Sequence, residues 1–142
     1  MQSVIIGLGE FIDRISILGI KIEKLNGEKK DIARNELAKL DFTWDDLSDT
    51  YPGILAHHDK LKRVNTQLWE IEDSIRKADA SLFAGSSDTS PTDLLRFDAD
   101  DLCSFIKLAR SVYQLNDERY RIKNYIDTKY GGGTTEVKSY VQ

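Results

Sequence analysis

The sequence predicts an all-α fold, an antiparallel bundle of three long helices with one or two short helices and an extended C-terminal tail. Apolar residues recur at alternating gaps of three and four positions over three long stretches, and strand signals are otherwise nearly absent. The chain has 142 residues, of which 40% are apolar and 31% charged, as in one ordinary globular domain. We therefore predict a single helical domain over residues 1–142, with a mobile linker at about 84–92 and a tail at 131–142.

The first long helix is predicted over residues 8–25, and Asn26-Gly27 ends it because glycine favours the backbone conformation that terminates helices. Its apolar stripe consists of Leu8, Phe11, Ile15, Leu18, Ile22 and Leu25. A looser helix follows at about 29–40, and its few apolar anchors are Ile32, Leu37 and Leu40. Residues 41–53 end in Tyr51-Pro52-Gly53 and are predicted to form turn and loop.

The second long helix is predicted from Gly53 to about Ala80. Its apolar stripe consists of Leu61, Val64, Leu68, Ile71, Ile75 and Ala78. The third follows the acidic residues at 98–101, which suit the positive end of a helix dipole, and it ends at Gly131. The side of the third helix that we expect to pack carries Leu102, Phe105, Ala109, Val112, Tyr113 and Ile126.

Three polar residues fall among the apolar residues of the third long helix: Asn116, Arg119 and Lys123. Charges in a packing face are costly unless they are paired or hydrated. Two interpretations fit this pattern equally well, a buried polar network between helices and a ligand pocket.

The other two long helices also carry a polar strip beside their apolar stripe. The strip of the first helix is Ser16, Gly19 and Glu23, and that of the second is His58, Asn65, Trp69, Glu72 and Arg76. Convergence of the strips would form a pocket in which cations hold an anionic small metabolite, sugar-linked or phosphorylated. In that case Glu72 is the predicted catalytic acid or base, and the substrate-binding residues are Arg119, Lys123, Asn116, Asn65, Arg76, Glu23 and Trp69. No cofactor and no metal are predicted at this site.

Composition argues against several classes of protein. The net charge of −4 disfavours nucleic-acid binding, and no apolar run approaches the about 20 residues that cross a membrane. The N-terminal residues lack the features of a signal peptide, so we expect a cytoplasmic protein with no membrane partner. Cys103 is expected to be a packed thiol, and a homodimer through exposed faces of the long helices is also expected.

Several acidic residues lie outside the polar strips. Glu10, Asp13 and Arg14 are interpreted mainly as surface ion pairs on the first helix. Glu70 and Asp73 could bind magnesium if another helix supplied a second carboxylate pair, as in helical nucleotide pyrophosphatases. The candidates for that second pair are scattered, such as Glu10 with Asp13 and Asp117 with Glu118. A magnesium-dependent nucleotide hydrolase is therefore the weaker alternative function.

Four segments, in order along most of the chain, carry a family resemblance. They contain Gly9-Glu10-Phe11-Ile12-Asp13-Arg14, Leu68-Trp69-Glu70-Ile71-Glu72-Asp73, Ala109-Arg110-Ser111-Val112-Tyr113 and Glu136-Val137-Lys138-Ser139-Tyr140. They resemble a small uncharacterised protein family of bacteria and phages, whose bacterial members are often labelled as associated with lipopolysaccharide or surface-polysaccharide biosynthesis. The resemblance implies that the tail contributes to the fold, and it implies no particular activity. The alternative function is a non-catalytic adaptor or accessory protein of a larger biosynthetic enzyme, in which the polar strips only specify the register of the bundle. Whether the chain is an enzyme stays open.

Overall fold

The computed structural model describes residues 2–83, 97–131 and 137–141. In chain order, its elements are β1 (Gln2–Ile6), α1 (Leu8–Lys24), α2 (Glu28–Thr50), α3 (Ile54–Phe83), α4 (Ala99–Tyr130) and β2 (Val137–Val141). Helices hold most of the described residues, so the predicted all-α class is confirmed. The linker predicted at about 84–92 lies outside the described residues. None of the described helices has the length and apolarity that crossing a bilayer requires.

Contacts divide the chain into two compact units. The first unit contains Met1–Thr66 and Glu118–Gln142, and the second contains Gln67–Asp117. The boundary between the units falls within α3 and within α4, so each of these helices contributes one segment to each unit. The assignment of one domain to residues 1–142 stays a prediction.

Helix α1 is deeply buried within the first unit. Four residues of its predicted stripe are between 0% and 4% exposed, namely Leu8, Phe11, Ile15 and Leu18. Ile12 flanks this stripe and Ile20 points in another direction, and both are buried, at 0% and 1% exposure. Helix α1 therefore has neighbours on more than one side, and α2 is one of them. The chain turns between α1 and α2 at Gly27, whose φ of 64° glycine adopts without strain.

Helix α2 is longer than predicted. It has 23 residues and runs from Glu28 to Thr50, so the turn and loop predicted for residues 41–50 is wrong. One face continues through that stretch at helical spacing, with the buried or half-buried residues Ala33, Leu37, Leu40, Trp44 and Leu47. This face was hidden in the sequence by the polar residues around it.

Two details of α2 explain why the prediction failed. The hydroxyls of Ser48 and Thr50 donate to carbonyls four residues earlier, at 2.6 and 2.8 Å, so these turn-forming residues remain inside the helix. The predicted anchor Ile32 is 51% exposed, whereas its neighbour Ala33 is 3% exposed. At the start of α2 the packed residue is thus one position after the predicted anchor, whereas the other two anchors, Leu37 and Leu40, do lie on the packing face.

Strand β1 is absent from the sequence prediction. It pairs antiparallel with β2, and Gln2 lies opposite Val141 while Ile6 lies opposite Val137. Five residues are too few for periodicity to separate a strand from the start of a helix. The predicted extended tail is therefore in part a strand, and β2 also approaches α2 and α1.

The long helices predicted to start near residues 53 and 98 are confirmed as α3 and α4. Asp98 caps α4, because its Oδ1 accepts a hydrogen bond from the backbone N–H of Asp101 at 2.8 Å. In the second unit, the buried ring of Phe83 on α3 contacts the rings of Phe97 and Phe105. The centroid distances are 5.3 and 6.2 Å.

The packing face of α4 differs from the prediction. Its buried or half-buried row is Leu102, Phe105, Leu108, Val112, Leu115, Arg119, Ile122 and Ile126. Tyr113 and Ala109, which the sequence placed on this face, are exposed, and Tyr113 is 52% exposed. Cys103 is also exposed, so the prediction of a packed thiol is wrong. It follows Leu102 by one position, which turns its side chain by about 100° away from the packed row.

The first turn of α1 lies against the backbone of α4 in the first unit. A methyl group on Gly9 would fall 2.9 Å from the carbonyl carbon of Lys123, so only hydrogen fits there. The backbone N–H of Gly9 donates to Oδ1 of Asp127 at 2.7 Å. Since the N-cap residue Gly7 offers no side chain, α4 supplies the cap of α1.

Replacing Gly9 by alanine should lower the free energy of unfolding by at least about 2 kcal/mol, because the added Cβ pushes α1 away from α4. Urea unfolding followed by circular dichroism measures the change. Gly19 is the matched control on the same helix, since its nearest neighbours would be Cε and Nζ of Lys62 at 3.8 and 3.9 Å. Gly19→Ala should raise stability by roughly 0.5–1 kcal/mol through helix propensity. Equal effects of the two substitutions would contradict the close approach at Gly9.

Candidate functional site

A buried carboxylate, that of Asp13, is the centre of the most extensive polar arrangement in the first unit. The side chain of Asp13 lies on α1 and is 1% exposed. The sequence interpretation of Asp13 as part of a surface ion pair is therefore wrong. An ionised carboxylate without water is stable only where cations and hydrogen-bond donors replace its hydration.

Arg119 on α4 supplies the main replacement. Its Nε donates to Asp13 Oδ1 at 2.9 Å, and its Nη2 donates to Asp13 Oδ2 at 2.5 Å. This two-pronged geometry matches the planar guanidinium to the planar carboxylate and is the strongest common form of ion pair. The hydrogen bond with Asp13 also raises the pKa of Arg119, so the guanidinium stays charged.

Helix α3 contributes the amide of Asn65, which is 7% exposed. Its Nδ2 donates to Asp13 Oδ1 and to the Ser16 hydroxyl, both at 2.9 Å. Ser16 in turn donates to the backbone carbonyl of Asp13 at 2.7 Å. The carboxylate on α1 thus binds side chains of both α3 and α4.

Lys123 lies one turn after Arg119 and neutralises a second acid. Its Nζ donates to Oε2 of Glu10 and lies 3.8 Å from Asp13 Oδ2. The cluster therefore holds two carboxylates, of Glu10 and Asp13, and two cations, of Arg119 and Lys123. Its formal charge is balanced within the chain.

The buried polar atoms of this network are all hydrogen-bonded. Across the described residues, every fully buried side-chain nitrogen or oxygen has a partner. The Asp13 carboxylate accepts three donors, and both atoms of Arg119 that point toward it are occupied. The strongest donors and acceptors of this arrangement are bound to one another, so its role is to link α1 with α3 and α4.

The structure brings together three of the predicted site residues: Asn65, Arg119 and Lys123. It adds Asp13, Glu10 and Ser16 as their partners. Glu23, another predicted residue, also lies in the first unit but pairs with Lys62 at 2.5 Å, and its side chain is 56% exposed.

The remaining predicted residues lie in the second unit. Glu72, the predicted catalytic residue, has a side chain that is 52% exposed and an ion pair with Arg76 one turn later, at 3.7 Å. Asn116 is exposed, and its amide donates to the carbonyl of Val112 within α4. Trp69 is half-buried. Among the described residues, no three His, Cys, Asp or Glu side chains form a group that could hold a metal ion.

The sequence does contain a signal for the burial of Asp13, although apolar periodicity does not reveal it. Gly9, Asp13 and Ser16 recur at gaps of four and three, which places two small residues beside the acid on one face of α1. Small residues beside a lone charge are expected where another helix comes close enough to pair with it. Glu10 and Asp13 are also spaced like Arg119 and Lys123, about one helical turn apart.

A second cluster in the first unit is aromatic and surrounds His57, which is 9% exposed. The ring of His57 contacts those of Tyr125 and Tyr130 at centroid distances of 5.2 and 5.6 Å. The ammonium of Lys129 lies over both tyrosine rings, at 5.6 and 5.3 Å from their centroids. Burial lowers the pKa of His57, and the charges of Lys60 and Lys129 lower it further.

Comparisons of the chain with protein-family models, with curated proteins and with solved structures found no match. The family resemblance inferred from the sequence therefore stays a prediction.

Removing the guanidinium by Arg119→Met should lower the free energy of unfolding by about 3–5 kcal/mol, because Asp13 is then buried without its main partner. Asp13→Asn should cost less, since Arg119 and Lys123 are 29% and 23% exposed and can bind water. Urea unfolding of both variants and of the double variant measures the coupling between the two side chains.

Arg76→Met is the control for this experiment. It removes an arginine from an exposed ion pair and should change stability by less than about 0.5 kcal/mol. If Arg119→Met changed stability as little as this control, the ion pair with Asp13 would not be structural.

The lowered pKa of His57 predicts a loss of stability in acid. Below pH 6.5 the unfolded chain binds a proton at His57, whereas the folded chain does not until the pH reaches the lowered folded pKa. The contribution of uncharged, buried His57 to the free energy of unfolding is therefore fully present above pH 6.5 and decreases as the pH falls toward that folded pKa. Thermal unfolding across this range should be less pH-dependent in His57→Gln than in the wild type. His58→Gln controls for removal of an imidazole, and an equal reduction in both variants would contradict a role for the burial of His57.

Proposed function

We propose that the chain is a non-catalytic adaptor or accessory protein that acts through its surface. The observation that carries the proposal is the self-neutralised network at Asp13, in which cations and carboxylates of the same chain bind one another. Such a network favours one helix arrangement over its alternatives, which is an attested role of buried polar groups. It leaves recognition to the exposed faces of the helices.

An anionic metabolite finds little support at this network. To bind Arg119, it would have to displace Asp13, which is attached to the same fold and already positioned for two hydrogen bonds. Lys123 would likewise have to leave Glu10. A free anion also loses translational entropy on binding, whereas the carboxylates of the chain do not.

Acid–base catalysis by Glu72 is equally weakly supported. The side chain of Glu72 is 52% exposed to water and pairs with Arg76, whereas a catalytic group is expected in a concave site that encloses its substrate. A magnesium-dependent hydrolase would need a second carboxylate pair beside Glu70 and Asp73. Glu10 and Asp13 are engaged by Lys123 and Arg119, and the described residues contain no group of three His, Cys, Asp or Glu side chains, Asp117 and Glu118 included, that could hold a metal ion.

The identity of the partner rests on the resemblance described for the sequence. It points to an enzyme of surface-polysaccharide biosynthesis, and we place the adaptor in the cytoplasm beside that enzyme. We also retain, as part of the proposal, the antiparallel bundling of the long helices, which would present their outer faces as one docking platform.

Thermal shift and complex formation together test the proposal. Wild type, Arg119→Met and Lys123→Met are heated with inorganic phosphate, a sugar phosphate and a nucleotide sugar, each against sodium chloride of equal ionic strength. Arg76→Met is the control. An adaptor should show no rise in Tm beyond the salt control with any of these anions. In cells that make a surface polysaccharide, it should form a stoichiometric complex with a biosynthetic enzyme, isolated after cross-linking.

The opposite outcomes are also distinct. A ligand-specific rise in Tm that disappears in Arg119→Met would reject the adaptor in favour of an anion site. The absence of both a ligand effect and an enzyme complex would reject the adaptor as well.

A further inference from the structure

The second half of α2, in the first unit, presents an aromatic side chain to water. Phe42 is 86% exposed, the highest value among the exposed large hydrophobic residues of the described chain. It lies about 160° around the helix from buried Leu40, so it points away from the packing face of α2. Its apolar surface contributes to stability only when another surface covers it.

Carboxylates lie beside Phe42 on the same side of the helix. Asp45, Asp46 and Asp49 follow it by three, four and seven positions, which places each of them within about 60° of Phe42 around the helix axis. All three are exposed. These four residues, Phe42, Asp45, Asp46 and Asp49, form the Phe42 face.

The basic residues of α2 do not neutralise the Phe42 face. Residues 36–50 contain five acidic residues and one basic residue, Lys39, which lies at the edge of the face and is half-buried. Two turns before Phe42, Arg34 already pairs with Asp31 at 4.0 Å. Among the described residues, no ion pair involves the three carboxylates of the face. The face therefore carries a net negative charge beside its aromatic ring.

Folding does not explain these carboxylates. Asp49 lies about one turn after both Asp45 and Asp46, and like charges at this spacing repel one another. Because α2 ends at Thr50, Asp46 and Asp49 also lie near the negative end of its dipole, and the last turn has no basic residue. Both effects reduce the stability of the helix. Local choices that work against the fold are expected mainly at functional surfaces.

We propose that the Phe42 face binds a basic protein partner, whose lysine or arginine side chains surround an apolar pocket. Phe42 enters the pocket as an aromatic anchor, and the cations of the partner pair with the three carboxylates. An arginine at the rim of the pocket can also stack on the ring of Phe42. The inference rests on the proposed adaptor function and deepens it, because it selects one exposed helix face and the charge of the partner.

The charge of the face selects this occupant over others. Nucleic acids and anionic membranes are repelled by the same carboxylates that attract a basic protein. A second copy of the chain that used its own Phe42 face would bring like charges together. Within the described part of the chain, no group of three His, Cys, Asp or Glu side chains could hold a metal ion, so the carboxylates do not form a metal site.

The size of the face indicates how tight the complex is. From Phe42 to Asp49 it spans about 11 Å of helix at 1.5 Å per residue, which is small for a stable protein interface. We therefore expect a transient complex with a dissociation constant on the order of micromolar, weakened by salt.

Fluorescence anisotropy with a defined peptide tests the anchor. The probe is a labelled synthetic helical peptide of leucine, lysine and arginine, and its control has glutamate at the basic positions. The wild-type chain should bind the basic peptide and not the acidic one. Phe42→Ala should weaken binding about tenfold or more, as expected for an aromatic anchor. Ile32→Ala is the matched control, since Ile32 is 51% exposed on the same helix but lies outside the face, and it should bind like the wild type.

Neutralising the carboxylates separates docking from stability. Asp46→Asn/Asp49→Asn should weaken binding of the basic peptide about tenfold and reduce its salt dependence. The same variant should raise Tm by roughly 1–4 °C, because it removes repulsion at the end of α2. Glu28→Gln/Glu36→Gln has the same net charge and is the control. It should leave binding unchanged and lower Tm, since Glu28 lies in the first turn of α2.

The cross-linked complex with a biosynthetic enzyme distinguishes this inference from the adaptor function. A complex that forms with the wild type and with Ile32→Ala but not with Phe42→Ala supports both. A complex that forms equally with all three rejects the Phe42 face and retains the adaptor. If no enzyme complex forms with the wild type while the basic peptide binds through Phe42, the adaptor is rejected and the face is retained as a docking surface.

Three further results would each overturn the inference. They are a wild-type chain that does not bind the basic peptide, an affinity that Phe42→Ala leaves unchanged, and a fall in Tm in Asp46→Asn/Asp49→Asn. The last result would assign the carboxylates to the fold rather than to a partner.

Discussion

A buried carboxylate needs cations and hydrogen-bond donors at fixed positions in place of water, and Asp13 imposes this constraint on the first unit. Its partners come from two other helices, Asn65 from α3 and Arg119 from α4. Loss of a partner costs more free energy than formation of the pair gains, since the carboxylate of Asp13 would be left buried without it. The network therefore acts mainly against alternative packings of these helices.

Helices α1 and α4 also meet one turn before Asp13, at Gly9. There the backbone of Lys123 leaves space for hydrogen only, and Asp127 caps the first turn of α1. As residue numbers rise from Gly9 to Asp13 in α1, their partners in α4 fall from Asp127 to Arg119, so these segments are antiparallel. A slip by one turn would break the cap and the ion pair together. Steric fit and charge thus specify one register.

Much of this fold could be predicted from periodicity, because α1, α3 and α4 each present an apolar row at gaps of three and four. The failures have physical causes. The row of α2 relies on Ala33 and Trp44 among many polar residues, and strand β1 is too short to show a period. The burial of Asp13 depends on a contact 106 residues away in the chain, with Arg119, and no local pattern encodes such a pairing.

For the candidate site, the sequence identified one side of each interaction. It located Asn65, Arg119 and Lys123 beside packing faces, which is where the structure places them, but it assigned their partners to Glu23 and Glu72. Periodicity states which side of a helix is polar and does not state which helix that side meets. Glu23 meets Lys62 instead, and the acids that neutralise α4 are those nearest to the close approach at Gly9.

Helix α4 illustrates how one periodic pattern can contain two faces. A wheel of 100° steps groups Val112 and Tyr113 within a single broad apolar side, yet Val112 is half-buried and Tyr113 is 52% exposed. The inner row includes Arg119, whose charge Asp13 neutralises, whereas Ile106, Tyr113 and Tyr120 form an outer row that is exposed. Because the pairing with Asp13 fixes the rotation of this segment of α4 about its axis, it also determines which apolar residues of that segment remain exposed. Tyr120, the next residue after Arg119, is turned outward by the same ion pair that holds Arg119 inward.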